Sequence, residues 1–217
     1  MSIELYVFPP SPRAFKVLVV ANHLGLDYEL HYLDMRNGAH KSPGYAAMNP
    51  NMRMPTMKDG DYVLWESDAI QQYLALRKPE SGLLPTDERA RLDVTRWQFW
   101  GLAHWDSSCA VFIFENFVKA RLLGITEPDR AALEKAQEPF HRAARVLDGQ
   151  LTGRTYVTGK ALTLADFALG ATLNLAGPAQ IPIEPYAQIR RWFDTLRALP
   201  AWQRTFAQSQ QPAASAA

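Results

Sequence analysis

Cysteine is almost absent from this chain, since Cys109 is the only one among 217 residues. A single cysteine excludes an internal disulfide, a Cys-x-x-Cys redox pair and a zinc site built from several cysteines. The five histidines show no metal-ligand spacing such as His-Glu-x-x-His. We therefore expect no bound metal.

An excess of one charge and long apolar runs are also missing. Lys and Arg number 23 against 22 Asp and Glu, so the formal net charge of +1 draws the chain neither to nucleic acid nor to an anionic membrane. No run approaches the roughly 18 apolar residues of a membrane-spanning helix, and the N-terminus lacks a basic-then-apolar targeting signal. With 47% apolar and 21% charged residues, the composition is that of a soluble globular protein. We expect a cytoplasmic location.

The first third of the chain alternates strand and helix signals. Ile3–Phe8 is rich in β-forming residues and predicts a strand. Ser11, followed by a proline, pairs an N-cap with a first helical position, and Gly25 predicts the end of that helix. Tyr28–Leu33 predicts a second strand. Residues 34–48 are broken by glycine and proline, so we expect no more than a short, irregular helix there.

A hairpin and a helix follow. Thr56–Lys58 and Tyr62–Trp65 are strand candidates around the turn signal Asp-Gly-Asp, and Ser67 then opens a helix with apolar residues at helical spacing. The predicted order of elements is β-α-β-α-β-β-α. Pro55 precedes the first of these strands. It is either a plain edge residue or a cis bond that holds the preceding backbone in a fixed, ligand-facing conformation.

Helical patterns dominate the second half. The prolines and glycine of residues 79–87 predict a linker, which gives an N-terminal domain at 1–78, a linker at 79–87, an all-helical domain at 88–207 and a mobile tail at 208–217. Pro139 interrupts a helical pattern and predicts a kink or a restart. Thr163 and Asp166 have the spacing of a capping box, so we expect structural roles for both.

The run from Asn49 to Leu74, NPNMRMPTMKDGDYVLWESDAIQQYL, resembles the glutathione-binding stretch of cytosolic glutathione S-transferases. That stretch has Asn-Pro, a short gap, a cis-proline, a hairpin, and Glu-Ser at the start of a helix. The resemblance implies a thioredoxin-like N-terminal domain (βαβαββα) followed by an all-α domain. It also implies that the backbone of Met54, before Pro55, pairs with the cysteinyl backbone of glutathione. Glu66, Ser67 and the helix N-terminus would hold its γ-glutamyl end, since a helix start favours a carboxylate.

Ser11 is the catalytic residue that the resemblance implies. In phi- and theta-class members a serine at the start of the first helix, six residues before an apolar residue, donates a hydrogen bond to the glutathione sulfur, and Ser11 and Val17 have that spacing. The alternative is a serine that only caps the helix. Pro10 and Ser11 occupy the region where beta- and omega-like members carry a cysteine, which disfavours a mixed-disulfide mechanism. Tyr6 resembles the catalytic tyrosine of the alpha, mu and pi classes, but it lies inside the first strand, five residues before Ser11, so we expect a core or supporting position for it.

The run DMRNGAHKSP resembles the phi- and theta-class segment whose histidine and lysine meet the glycyl carboxylate of glutathione. His40 and Lys41 occupy those positions, and donor or cationic groups suit a ligand with two carboxylates. The alternative is a solvated loop pair. Arg53 replaces a glutamine of the phi pattern and either reaches the same carboxylate or faces solvent. Asn51 and Met52 depart from the Phe-Gly of phi members, near the position where some classes place an aromatic dimer contact.

As a whole, the chain is identified as a member of the serine type of this family, nearest to phi- and theta-like bacterial members. This implies a homodimeric transferase that activates the thiol of its co-substrate glutathione for attack on an electrophilic, largely apolar second substrate, with no metal or organic cofactor. The family builds the second-substrate pocket from the loop before the first helix and the first long helix of the second domain, where the candidates are Pro10, Pro12, His104, Trp105, Ser108 and Phe112.

Each of these candidates has an alternative role in core packing. Two other functions remain open on the same fold. One is a glutathione-dependent disulfide reductase, peroxidase or dehalogenase, and the other is a non-catalytic binder of apolar ligands. The sequence does not identify the electrophile.

Overall fold

The chain forms two units in a computed structural model that describes residues 3–210. One unit comprises residues 3–81 with 198–210, and the other comprises residues 82–197. The boundary falls inside the predicted linker. The last helix, however, packs with the first unit, although the sequence prediction grouped residues up to 207 with the helical domain. Of the predicted mobile tail, residues 208 and 209 are helical, and 211–217 lie outside the described residues.

A mixed four-stranded sheet organises the first unit. Its strands are β1 (Ile3–Val7), β2 (Tyr28–Tyr32), β3 (Thr56–Asp59) and β4 (Tyr62–Trp65), in the order β2-β1-β3-β4. Strand β1 pairs in parallel with β2, and the β1–β3 and β3–β4 pairs are antiparallel. Parallel pairing needs a crossover element, which is α1 (Pro12–His23), while α2 (Pro43–Met48) and α3 (Ser67–Leu76) complete the series. The predicted βαβαββα order is confirmed.

Helix α1 lies in the core of this unit. Eight consecutive residues, 14–21, are buried, so the helix is covered on every side. Alternate residues of β1, from Ile3 to Val7, are buried on one face of the sheet, while Glu4 and Tyr6 are half-buried on the other. Ser11 therefore stands at the start of a helix that the core holds firmly.

The last helix, α9 (Pro200–Ser209), packs along α1 at both ends. In the first turn of α1, the Phe15 ring lies 4.8 Å from the Trp202 ring, centroid to centroid. Near its end, Asn22 Nδ2 donates to Thr205 Oγ1 at 2.7 Å and to Gln208 Oε1 at 2.8 Å. The sequence did not predict this contact, because its partners are 183 and 186 positions apart.

The second unit is helical throughout its regular structure. Its α-helices are α4 (Glu88–Trp100), α5 (Asp106–Ile113), α6 (Arg130–Leu151), α7 (Leu164–Gly170) and α8 (Ala187–Arg197). Two π-helical stretches, Gly101–Trp105 and Phe114–Leu123, make one long helical run with α4 and α5. Helix α6 continues through Pro139, so the predicted restart does not occur. No helix among residues 3–210 is long and apolar enough to cross a membrane.

The predicted capping box at the start of α7 is confirmed. The Thr163 N–H donates to Asp166 Oδ2 at 2.9 Å, while Oδ1 accepts from the Val157 N–H at 2.8 Å and from Trp192 Nε1 at 2.9 Å. Burial raises the pKa of Asp166 to about 6, although these hydrogen bonds favour its ionised form. One buried carboxyl thus joins three segments of the second unit.

Candidate active site

Ser11 caps helix α1 and retains a donor for a ligand. Its backbone is extended, and its Oγ accepts a hydrogen bond from the Arg13 N–H at 3.2 Å. Its own N–H donates to the Phe8 carbonyl at 3.0 Å, and the residue is half-buried. A hydroxyl that accepts through a lone pair still has its O–H to donate. Capping the helix and donating to a sulfur are therefore compatible roles.

The Met54–Pro55 peptide bond is cis, as one of the two alternatives for Pro55 predicted. Side chains on either side hold this loop. Tyr45 Oη and Asn49 Nδ2 each donate to the Arg53 carbonyl at 2.7 Å, and they lie 2.8 and 3.1 Å from Thr56 Oγ1. Because two side chains bridge the residues before and after Met54-Pro55, the Met54 backbone has a fixed position.

Helix α3 begins with a strained backbone and a buried hydroxyl. The exposed Glu66 has a φ of 74°, in the left-handed region that non-glycine residues rarely adopt. Ser67 is 2% exposed, and its Oγ has no hydrogen-bond partner within residues 3–210. A buried hydroxyl without a partner costs stability. At a helix start, where the free N–H groups and the dipole favour an anion, a carboxylate ligand would satisfy it.

A second buried polar atom without a partner belongs to His40. The residue lies in a short 3₁₀ helix, Ala39–Lys41, and its Nδ1 makes no hydrogen bond in the described part of the chain. The Lys41 and Arg53 residues are exposed. All three are on the segment that connects β2 and β3. All eight residues of the predicted glutathione site belong to the first unit, the other five being Ser11, Met54, Pro55, Glu66 and Ser67.

Two residues that could compete for catalysis are engaged elsewhere. Tyr6 Oη donates to Glu4 Oε2 at 2.7 Å, and the Tyr6 ring stacks on His31 at 4.5 Å. Burial, followed by the Glu4 carboxylate, raises the pKa of Tyr6 to about 12, which makes its proton harder to lose. Cys109 is fully buried, and burial raises the pKa of its thiol well above its ordinary value. Neither side chain is prepared to ionise near neutral pH.

In the second unit, a cavity of about 520 Å³ is lined by the α4–α5 helical run and by α6. It contains two of the predicted second-substrate residues, His104 and Ser108. Trp105 and Phe112 are instead buried in the helical core, with 0% and 2% of their surface exposed. Both rings pack on the ring of Phe140. In addition, Trp105 Nε1 donates to the Leu169 carbonyl at 3.0 Å. The remaining two candidates, Pro10 and Pro12, flank Ser11 in the first unit.

Sequence reasoning missed most of this cavity. The unpredicted lining residues are Trp100, Ala103, Ser107, Pro139, Arg142, Ala143 and Val146. Positions 100, 103, 104 and 107 follow the i, i+3, i+4, i+7 spacing of one helix face, so this wall could have been found. The facing wall depends on where α6 packs, which no local spacing reveals.

Comparison with known proteins identifies the family to which the chain belongs. Residues 1–76 match the family model described as "Glutathione S-transferase, N-terminal domain", and residues 103–200 match "Glutathione S-transferase, C-terminal domain". The chain is 35% identical to glutathione S-transferase 3 of Zea mays over 94% of its own length and 93% of the relative's. It is 31% identical to glutathione S-transferase 2 of Anopheles gambiae, with 90% of each chain covered.

A solved structure shows the same fold. It is that of a glutathione transferase family member from Pseudomonas fluorescens Pf-5 with two glutathione bound, and it matches at 26% identity and a TM-score of 0.84, covering 94% of this chain and 92% of the other. Both family models and relatives above 30% identity thus account for most of the sequence. The chain therefore belongs to the glutathione S-transferase family.

Proposed function

We propose that this glutathione S-transferase ionises the thiol of bound glutathione with the Ser11 hydroxyl and directs the thiolate at an electrophilic, largely apolar second substrate. Glutathione conjugation is the activity of the chain as a family member. The roles of individual residues are our proposal. The observation that carries it is Ser11 at the start of α1, with its oxygen bonded to the Arg13 N–H and its O–H available to donate.

The energy required matches what this position offers. A free thiol has a pKa of about 8.5, so only a few per cent is thiolate at neutral pH. Lowering that pKa by two units requires about 2.7 kcal/mol of preferential stabilisation of the thiolate. A hydrogen bond to a charged group contributes about 1.5–3 kcal/mol, and a helix N-terminus about 0.3–1 kcal/mol. Ser11 and the first turn of α1 together supply most of the requirement.

The tripeptide is proposed to lie across the first unit. The Met54 backbone pairs with the cysteinyl residue, Glu66 and Ser67 hold the γ-glutamyl end, and the glycyl carboxylate meets His40, Lys41 and Arg53. The buried Ser67 Oγ and His40 Nδ1 support this placement. A ligand with a carboxylate at each end would provide partners for both atoms.

The reaction is a displacement or an addition at carbon. The thiol proton passes to water, and the sulfur electron pair forms the new C–S bond. In a displacement, the leaving group departs with the electron pair of the bond that breaks. Ser11 stabilises the negative charge on sulfur and donates no proton in the net reaction.

For the second substrate, we propose His104 and Ser108 in the second unit as contact residues. Pro10 and Pro12, on either side of Ser11 in the first unit, stay predictions from the sequence. The cavity that holds His104 and Ser108 has mostly apolar walls, with Trp100, Ala143 and Val146 among them. Such walls suit an apolar electrophile, since specific pockets combine apolar surface with few polar groups. Trp105 and Phe112 are removed from the proposal because they are buried in the helical core.

We further propose a homodimer that acts in the cytoplasm, as expected of a cytosolic family. Large exposed apolar side chains in both units support the dimer. They include Met52, Tyr62 and Trp65 in the first unit and Leu92 and Phe99 in the second.

The decisive experiment replaces Ser11 by Ala. We expect kcat/KM with a chloronitrobenzene to fall roughly 10- to 100-fold, because a charge-assisted hydrogen bond is lost. The thiol pKa from the pH profile should rise by about one to two units, while the glutathione Kd from calorimetry changes little. A wild-type kcat/KM and thiol pKa in Ser11→Ala would refute the proposal.

Ser11 also caps α1, so stability must be separated from catalysis. Loss of an N-cap typically costs about 1 kcal/mol. Ser11→Thr keeps both the cap and a hydroxyl and should retain most activity. Ser11→Asn keeps the cap without a hydroxyl and should behave kinetically like the alanine variant.

A further inference from the structure

A fully buried lysine lies between the two helices that carry the proposed ends of the glutathione site. Lys16, in α1, is 0% exposed, and Asp68, in the first turn of α3, is 5% exposed. Lysine is almost never fully buried unless it is paired. Lys16 Nζ lies 3.7 Å from Asp68 Oδ2. An ammonium–carboxylate pair thus joins α1 and α3 inside the first unit.

A second buried contact joins the same helices. Gln71, also 0% exposed, donates from Nε2 to the Lys16 carbonyl at 3.1 Å. Both contacts involve Lys16, which lies five positions after Ser11 in α1. Their partners in α3, Asp68 and Gln71, lie one and four positions after Ser67. The two serines therefore stand at the near ends of helices that are linked by buried polar groups.

We propose that Lys16 and Asp68 are positioning residues whose ion pair sets the separation between Ser11 and Ser67. This rests on the proposed function, in which Ser11 meets the sulfur of glutathione and Ser67 its γ-glutamyl end. Neither Lys16 nor Asp68 needs to touch the tripeptide. Each acts through the helix start beside it.

An ion pair at this position is better explained by geometry than by stability. Desolvation of two buried charges offsets much of their attraction, and apolar residues of similar volume often stabilise a fold as well. Buried polar groups can instead specify one register between helices. A ligand that spans two helix starts is sensitive to that register, because a displacement of about 1 Å can cost about 100-fold in rate.

The test replaces the pair by apolar residues, Lys16→Met together with Asp68→Leu, in the full chain. The double variant should fold, since it leaves no uncompensated buried charge. We expect its KM for glutathione to rise about tenfold and the thiol pKa from the kcat/KM profile to rise by about one unit. A pair with only a structural role would move neither value in a folded protein.

Two further variants keep the result decisive. Asp68→Glu retains the charge but lengthens one side chain by a methylene, so it should raise the KM several-fold even if the apolar variant does not fold. Glu4→Gln with Lys58→Met removes another ion pair of the same unit, 2.9 Å long, between β1 and β3. This matched control should keep the wild-type KM and thiol pKa.

The outcomes separate the inference from the function on which it rests. A wild-type KM and thiol pKa in the folded apolar variant, or in Asp68→Glu if the apolar variant does not fold, overturns the positioning role. If Ser11→Ala also keeps the wild-type thiol pKa, the proposed function itself is wrong. A raised thiol pKa in Ser11→Ala but not in the pair variants refutes the inference alone.

Discussion

Polar side chains of the first unit fall into two groups, those that find partners inside the protein and those that do not. Glu4 accepts from Tyr6 Oη at 2.7 Å and from Lys58 Nζ at 2.9 Å. Within residues 3–210, by contrast, Ser67 Oγ and His40 Nδ1 are buried without a hydrogen-bond partner. A buried polar atom without a hydrogen-bond partner destabilises the protein, and a ligand that bonds to the atom removes this cost. In our proposal, Ser67 and His40 gain these missing partners from the two carboxylate ends of glutathione.

Tyr6→Phe tests this division. Because the phenol is bonded to Glu4, we expect kcat/KM to stay within about twofold of wild type, against the much larger loss in Ser11→Ala. The hydrogen bond from Tyr6 is also the largest cause of the lowered pKa of Glu4. In the phenylalanine variant that pKa should move back toward its ordinary value, as measured by an NMR titration of the carboxyl. A tenfold loss of kcat/KM would assign the phenol a part in the reaction.

At the scale of helices and strands, local chemistry decided what could be predicted. The caps at Ser11 and Thr163 and the hairpin of β3 and β4 depend on neighbours within a few residues, and the sequence predicted them. It also predicted that α3 starts at Ser67, but Glu66 is the N-cap there and the Ser67 hydroxyl makes no capping hydrogen bond. The packing of α9 on α1 and the second wall of the cavity depend on distant residues, and both were missed. Gly101 shows how fine such packing is, since an added Cβ would lie 2.7 Å from Leu169 Cδ2.

Asp166 makes the stability of the second unit depend on pH. Burial raises its pKa from 3.8 to about 6. Between pH 4 and 6, roughly, the unfolded chain carries an ionised Asp166 while the folded chain keeps it protonated. The folded state then binds the extra proton, so the free energy of unfolding falls as pH rises through this window, by about 3 kcal/mol in total.

Urea unfolding of wild type and Asp166→Asn at a series of pH values checks this prediction. Contributions from other carboxyls are common to both proteins. The free energy of unfolding of wild type, after subtraction of that of Asp166→Asn, should decrease as pH rises to about 6 and stay constant at higher pH. A difference that is flat, or that increases with pH, would show that burial does not control this carboxyl.

For the whole molecule, exposed apolar surface is the feature that remains to be explained. Tyr62 and Trp65, 47% and 38% exposed, are on β4, an edge strand of the sheet. Leu92 and Phe99, 60% and 65% exposed, lie two turns apart on α4. Proteins usually cover long apolar edges and patches. A second copy of the chain is the cover that we propose.

Light scattering coupled to size-exclusion chromatography tests the assembly. We expect wild type at twice the chain mass of 24.4 kDa, and Leu92→Glu with Phe99→Glu shifted toward the monomer, because charges in an apolar contact are costly. Phe206→Glu, at a phenylalanine that is 45% exposed on α9, is the matched control and should remain dimeric. A monomeric wild type at micromolar concentration would contradict the dimer.

The return of α9 to α1 has a consequence for biosynthesis. A nascent chain that has emerged only as far as residue 81 has every strand of its sheet, yet Phe15 still lacks Trp202 and Asn22 lacks Thr205 and Gln208. Helix α1 therefore acquires these neighbours only after all residues of the second unit have been translated. The first unit, although its strands are translated before the second unit, is completed after it.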